Sequence, residues 1–141
     1  MEGKKASEQK LTWVGDGPSF EGVDSWGHAV RVAGSADHDG SKPSDLLPIS
    51  LAACTAYDVV VILQKQRQRL EGLEVNVSCE QDPEPPWAFR RIALHFVATG
   101  EVEPRRLEKA IELSERKYCA VAAAIRPAVE IALSSEVAPA S

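Results

Sequence analysis

Between Leu46 and Leu63 the chain reads LLPISLAACTAYDVVVIL, its longest nearly unbroken apolar stretch, and any fold it adopts must hide that stretch. Taken alone, the run could form a pair of buried strands. Its continuation, QKQRQRLEG, supplies good helix formers and then a Gly, so the pattern predicts one helix from about Asp45 to Leu70. Pro43 restricts Ser44, Ser44 is placed to cap the first free N–H groups, and Asp45 suits the positive end of the helix. Pro48 is tolerated if the helix begins near Ser44 or later. The first half of the helix has no polar face, so protein must surround it on nearly all sides. Cys54 lies at its middle, either as silent core or as a guarded reactive thiol.

A chain of 141 residues, 44% apolar, supports one domain with a real core. Residues 10–135 are expected to form it, with 1–9 and 136–141 as disordered tails. Covering the apolar helix strains a core of this size, and dimerisation would relieve it. A net charge of −5 with dispersed Lys and Arg offers no track for nucleic acid. The start MEGKKASEQK has no apolar core of a signal peptide, and the long apolar run contains Pro48 and Asp58, so a cytoplasmic protein without a membrane span is expected. Three cysteines, Cys54, Cys79 and Cys119, do not make a secreted disulfide framework. Their spacing is wrong for zinc, and His28, His38 and His95 complete no ligand set, so no metal and no cofactor is expected.

Leu11 to Val14, Ser19 to Val23 and His28 to Ala33 are short segments separated by GDGP and DSWG, the punctuation of a small antiparallel sheet. After the long helix, Leu73, Val75 and Val77 alternate with polar residues as a half-buried strand that continues to Cys79. DPEPPW makes a turn, and Phe89 to Thr99 alternates through Ile92, Leu94, Phe96 and Ala98 as a longer strand pairing with it. Pro104 opens an amphipathic helix bearing Leu107 and Ile111, Cys119 to Ile125 forms an Ala-rich helix stopping at Pro127, and Val129 to Leu133 closes as a strand. The order βββ, α, ββ, α, α, β is an α+β domain. Trp13, Trp26 and Trp87 read as packing or dimer-surface groups, with Trp87 beside PEPP a possible wall for an apolar substrate.

Each thiol has an ordinary reading as a core cysteine. Cys119, however, follows Arg116 and Lys117 at the start of the Ala-rich helix, where positive charge and free N–H groups favour a thiolate. Cys54 has small neighbours, Ala52, Ala53, Thr55 and Ala56, that leave room around its sulfur, while Asp58 one turn on disfavours its thiolate unless paired. Cys79 reads as structural.

KPSDLLPISLAACTAYDVVVIL and LSERKYCAVAAAI, bracketing two strands, with HFVATGEVEPRRLEKAIELSERKYC leading into the second cysteine, resemble the OsmC/Ohr family, in particular its less characterised OsmC-like branch, over about Ser19 to Ser134. The resemblance implies an intertwined homodimer with the long helices at its centre, N-terminal strands exchanged into the partner's sheet, and two active sites at the subunit interface. It also implies an antioxidant, stress-response activity in which Cys54 attacks an organic hydroperoxide, Cys119 resolves the sulfenic acid as a disulfide, and a dithiol reduces the pair. The family's peroxidases carry a Glu ten residues before the attacking cysteine. Here that position is Ser44, and the acidic residue is Asp45, nine before. They also use an Arg from the N-terminal hairpin, a position that falls near Phe20, while Arg31 is the only Arg in the N-terminal strands. Two functions follow from this pattern. One is dithiol-dependent reduction of organic hydroperoxides by Cys54, Cys119 and Asp45. The other is an OsmC-fold binder of a small or lipid-like apolar molecule without peroxidase turnover.

Overall fold

In a computed structural model, which describes residue 3 and residues 5–139, the chain forms six strands and three α-helices. Strands β1 (Lys10–Trp13), β2 (Ser19–Val23) and β3 (Ala29–Ala33) precede α1 (Pro43–Lys65). Strands β4 (Arg69–Gln81) and β5 (Phe89–Glu101) follow, then α2 (Pro104–Leu113), a π turn (Ser114–Tyr118), α3 (Ala120–Ile125) and β6 (Glu130–Ala138). The expected α+β order holds. The chain divides into two compact units, residues 1–47 and residues 48–141. The expected disordered ends include residues 1, 2, 4, 140 and 141, which lie outside the described residues.

The first unit is an antiparallel meander in the order β1-β2-β3. Asp24 closes its second turn by accepting from the N–H groups of Trp26 (2.9 Å) and His28 (2.8 Å). The polar loop after β3 folds back along it: the Ser41 N–H donates to the Arg31 carbonyl and the Ala33 N–H to the Ser41 carbonyl. Gly40 permits this return. Its φ is +149°, and a Cβ there would sit 2.9 Å from the Val32 backbone.

The second unit is built on a sheet in the order β4-β5-β6, with β4 antiparallel and β6 parallel to the central β5. Alternation along β5 turns Ile92, Leu94, Phe96 and Ala98 to one face, where all four are fully or almost fully buried. They pack in one cluster with Leu51, Val59 and Leu63 of α1, Leu107, Ala110 and Ile111 of α2, and Ala122 and Ile125 of α3. Arg91 braces the opposite end, meeting Glu130 at 2.9 Å and Glu80 at 3.6 Å on the two flanking strands.

Three sequence expectations shift. The long helix ends at Lys65 rather than near Leu70: Arg67 turns to φ +58°, the Gln68 N–H bonds the Leu63 carbonyl, and Arg69 and Leu70 pair with Glu101 and Gly100 as β4. Helix propensity in QKQRQRLEG yields there to sheet pairing. At the other end Pro43 opens the helix, so Ser44 lies within the first turn instead of preceding it. The last strand continues to Ala138, paired with Thr99. Helix α1 is long and apolar enough to cross a membrane by length and composition, a test that the core helix of a soluble protein also passes. Leu51, Thr55, Val59 and Leu63, spaced by four, form its fully buried stripe.

Candidate active site

Cys54 and Cys119 come together from opposite ends of the second unit's sequence. Cys54 lies beside the buried stripe of α1 and is half-buried. Cys119 is almost fully buried at 3% exposure and stands as the N-cap of α3, with extended backbone at φ −86° and ψ 107°. Its sulfur accepts from the Ala122 N–H at 3.3 Å, the bond a Ser or Asp makes at such a position. Its own N–H donates to the Ser114 carbonyl at 2.8 Å, the five-residue span of a π turn. The turn therefore sets where the second thiol lies, close to the first.

Burial pushes the Cys54 thiol above its ordinary pKa, and the hydrogen bond and charge of Cys119 push the same way. The backbone N–H groups of Val121 and Ala120 oppose this by favouring the thiolate. Asp58, which in sequence stands one turn from Cys54 as an adverse charge, is engaged elsewhere: its carboxylate accepts from the fully buried Ser114 hydroxyl at 2.6 Å. Glu115 is likewise occupied, since Arg126 donates to its carbonyl at 2.7 Å and to its carboxylate at 3.0 Å. Lys117 lies over the Tyr118 ring at 5.5 Å.

The other predicted residues are placed as follows. Asp45 is exposed in the first turn of α1, about two and a half turns before Cys54 at 3.6 residues per turn. Arg31 pairs with Asp39, and Phe20 sits opposite Trp13 and Val32 in the first sheet. Cys79 is exposed on β4. Trp13, Trp26 and Trp87 are all exposed, and the Trp13 indole donates to the Gly17 carbonyl. Among the described residues, no group of three or more His, Cys, Asp or Glu side chains could hold a metal ion. A cavity of about 180 Å3 between α2 and β6, lined by Glu108, Ile111, Glu112, Leu133, Ser134 and Ser135, contains neither of the paired thiols.

Sequence reasoning gives Thr55 no role beyond that of a small neighbour of Cys54 and does not single out Ser114. Thr55 is fully buried, with its hydroxyl 2.9 Å from the Leu51 carbonyl and 3.7 Å from the Cys119 sulfur. The only signal for it was a hydroxyl on the apolar stripe of a helix, next to a cysteine. Chemically, two thiols in contact, one of them half-exposed, can pass between dithiol and disulfide.

A family model described as OsmC-like protein matches residues 36–134. Protein YhfA of Escherichia coli K12 is 35% identical over 131 residues, which covers 92% of this chain and 97% of that protein. A hypothetical protein from Aquifex aeolicus VF5 superimposes with a TM-score of 0.87 at 28% identity, over 98% of this chain and all of that one. An organic hydroperoxide resistance protein OsmC from Legionella pneumophila has the same fold, with a TM-score of 0.67 at 20% identity over 94% of this chain and 97% of that one.

Proposed function

Because the chain belongs to the OsmC/Ohr family, we propose that it reduces organic hydroperoxides at the expense of a dithiol, with Cys54 attacking and Cys119 resolving. The observation that supports this reading is the closeness of the Cys54 and Cys119 side chains, the arrangement that formation of a disulfide needs. The name of the Legionella protein supports the substrate class.

The Cys54 thiolate attacks the outer oxygen of the hydroperoxide, the O–O bond breaks, and the leaving alkoxide takes a proton to become the alcohol. Backbone N–H groups of Val121 and Ala120 support the thiolate that this step requires. The sulfur of Cys119 then attacks the Cys54 sulfenic acid and expels hydroxide, which leaves as water, and a Cys54–Cys119 disulfide remains. An external dithiol reduces the pair and is itself oxidised to a disulfide. The working form is a homodimer.

A second reading, an OsmC-fold binder of an apolar molecule without turnover, is favoured by the raised Cys54 pKa and by the absence, among the described residues, of an arginine hydrogen-bonded to either thiol. Reacting the reduced protein with an alkyl hydroperoxide or with hydrogen peroxide, followed by intact mass and peptide mapping, separates the two. The peroxidase reading expects loss of two hydrogens, a linked Cys54–Cys119 peptide, and faster oxidation by the alkyl compound, because Cys54 lies among Ala, Leu, Ile and Val. Reaction no faster than that of an unstructured thiol selects the binder.

A further inference from the structure

The described residues hold three buried polar or charged side chains, Thr55, Ser114 and Glu115, and all three gather at Cys119. The Thr55 hydroxyl is 3.7 Å from its sulfur, the Ser114 carbonyl accepts its N–H at 2.8 Å, and Glu115 is the second residue of the same π turn. Glu115 also differs from the other carboxylates that form ion pairs. Its side chain is 10% exposed, whereas both partners of every other ion pair among the described residues are at least 36% exposed. Arg126, the C-cap of α3, reaches it from 11 residues on, donating through Nη1 to the Glu115 carbonyl at 2.7 Å and to its carboxylate at 3.0 Å. These bonds close residues 115–126 into a loop with Cys119 inside it. The Ser114 hydroxyl ties the root of that loop to Asp58, on the helix of Cys54.

We propose that Glu115 and Arg126 are a positioning pair that holds Cys119 at bonding range of Cys54, so that this clamp sets the strength of the Cys54–Cys119 disulfide. The proposal rests on the reading of the two cysteines as a redox pair, and it asks nothing of either thiol's charge. A disulfide tolerates little error: its two Cα atoms lie about 4.4–6.8 Å apart, with the side chains aimed at each other. Cys119 stands at the junction of the π turn and α3 with extended backbone, so a small rotation of one element against the other swings its sulfur. The bonds from Arg126 tie the far end of α3 back to the π turn and oppose that rotation.

An exposed pair would hold this joint weakly, because surface ion pairs contribute little. Glu115 is buried, and a buried carboxylate is costly unless it keeps its partner, so Arg126 is held where it is. Apolar side chains packed in place of the pair would often be no less stable, which leaves the setting of Cys119 as what the pair specifies.

The test equilibrates the full-length protein carrying Cys79→Ser with glutathione and glutathione disulfide in fixed ratios, without hydroperoxide. Glutathione disulfide is the oxidant: its S–S bond breaks, the Cys54–Cys119 bond forms, and the two thiol hydrogens leave on two glutathione molecules. Mass spectrometry after acid quenching reads the linked Cys54–Cys119 peptide. Arg126→Ala should move the half-linkage ratio about tenfold toward the dithiol, the effect of a modest loss of orientation. Arg126→Lys, which keeps a donor for the Glu115 carboxylate, should restore most of it. Arg116→Ala removes a positive charge from an exposed position of the same turn and should leave the ratio unchanged. A merely structural role for the pair would lower the denaturation midpoint and leave the ratio where it was. If Glu115 without its partner unfolds the protein, Arg126→Ala combined with Glu115→Gln gives the same readout with no buried charge. A ratio equal to the parent's in these variants, an equal shift in Arg116→Ala, or a parent that forms no linked peptide overturns the proposal. Because the oxidant is a disulfide, inertness toward hydroperoxide defeats the peroxidase reading and leaves this result standing, while an unchanged ratio defeats the clamp alone.

Discussion

Ser114 and Asp58 are joined by a 2.6 Å hydrogen bond, hydroxyl to carboxylate, across a separation of 56 residues. The Ser114 carbonyl also receives the Cys119 N–H. One residue therefore links the helix of the first thiol to the backbone of the second. Removing Asp58 would leave a fully buried hydroxyl without its acceptor, at a cost of about 1–3 kcal/mol, and removing Ser114 would cost about as much. Asp58→Ala and Ser114→Ala are expected to lower the denaturant midpoint separately, with the double variant losing less than the sum. Full additivity in chemical denaturation would show that the bond contributes nothing.

Replacing Cys119 by Ser is expected to leave the first oxidation intact and to trap Cys54 as sulfenic acid, which excess hydroperoxide converts to the irreversible sulfinic form. Cys54→Ser should abolish peroxide consumption. Mass spectrometry of the Cys54 and Cys119 peptides reads both outcomes. Sulfenic acid forming on Cys119 in the Cys54→Ser protein, with no uptake by Cys119→Ser, would reverse the assignment.

Burial and the Cys119 hydrogen bond raise the Cys54 pKa, so the folded chain keeps that proton to higher pH than the unfolded chain does. Below the ordinary thiol range both states are protonated and the stabilisation is fully present. As pH rises through that range toward the folded value, the unfolded state releases its proton first and stability falls. Denaturation midpoints of the reduced protein at increasing alkaline pH should show this decline, and Cys54→Ser should reduce it. An identical slope in the two proteins would rule out Cys54 as its source.

Only 28% of the most apolar window of α1 is buried within one chain, and Ile49 and Tyr57 are 54% and 70% exposed. An apolar helix face left this open calls for a cover, and a second copy of the chain is the expected one. Sedimentation at micromolar concentration should show a dimer of 15.3 kDa chains, and Tyr57→Asp should shift it toward monomer. A well-folded monomer of the parent protein would remove this expectation.

The parts of the fold that sequence made legible are those in which neighbouring residues report on a common environment. The alternation of Ile92, Leu94, Phe96 and Ala98 located a buried strand face, and the apolar run around Cys54 located a core helix. The illegible parts depend on residues far apart. Asp58 read along its own helix is an adverse charge, and only Ser114 in another segment gives it a partner. The end of α1 is illegible in sequence because QRQRL suits a helix, and only the pairing of Leu70 with Gly100 makes that stretch the start of β4. Gly100 has φ +125°, and a Cβ there would lie 2.1 Å from the Arg69 carbonyl oxygen, a constraint visible only once the strands meet. In the site, the cysteines were legible by kind and order, while the hydroxyl of Thr55 was hidden in an apolar stripe.

The π turn has a consequence for how length variation acts on this chain. It holds one residue more than an α-helical turn, so SERKY behaves as an insertion absorbed without a loop. Loss of one of its exposed residues, Arg116, Lys117 or Tyr118, would remove the five-residue span that the Cys119 N–H closes onto the Ser114 carbonyl. Cys119 would then leave the sulfur of Cys54 while every side chain of the core remained chemically the same. For the exposed positions of this segment the count of residues matters more than their identity, and single deletions within Arg116 to Tyr118 would separate oxidation chemistry from folding more cleanly than substitutions of the buried Ser114 or Glu115.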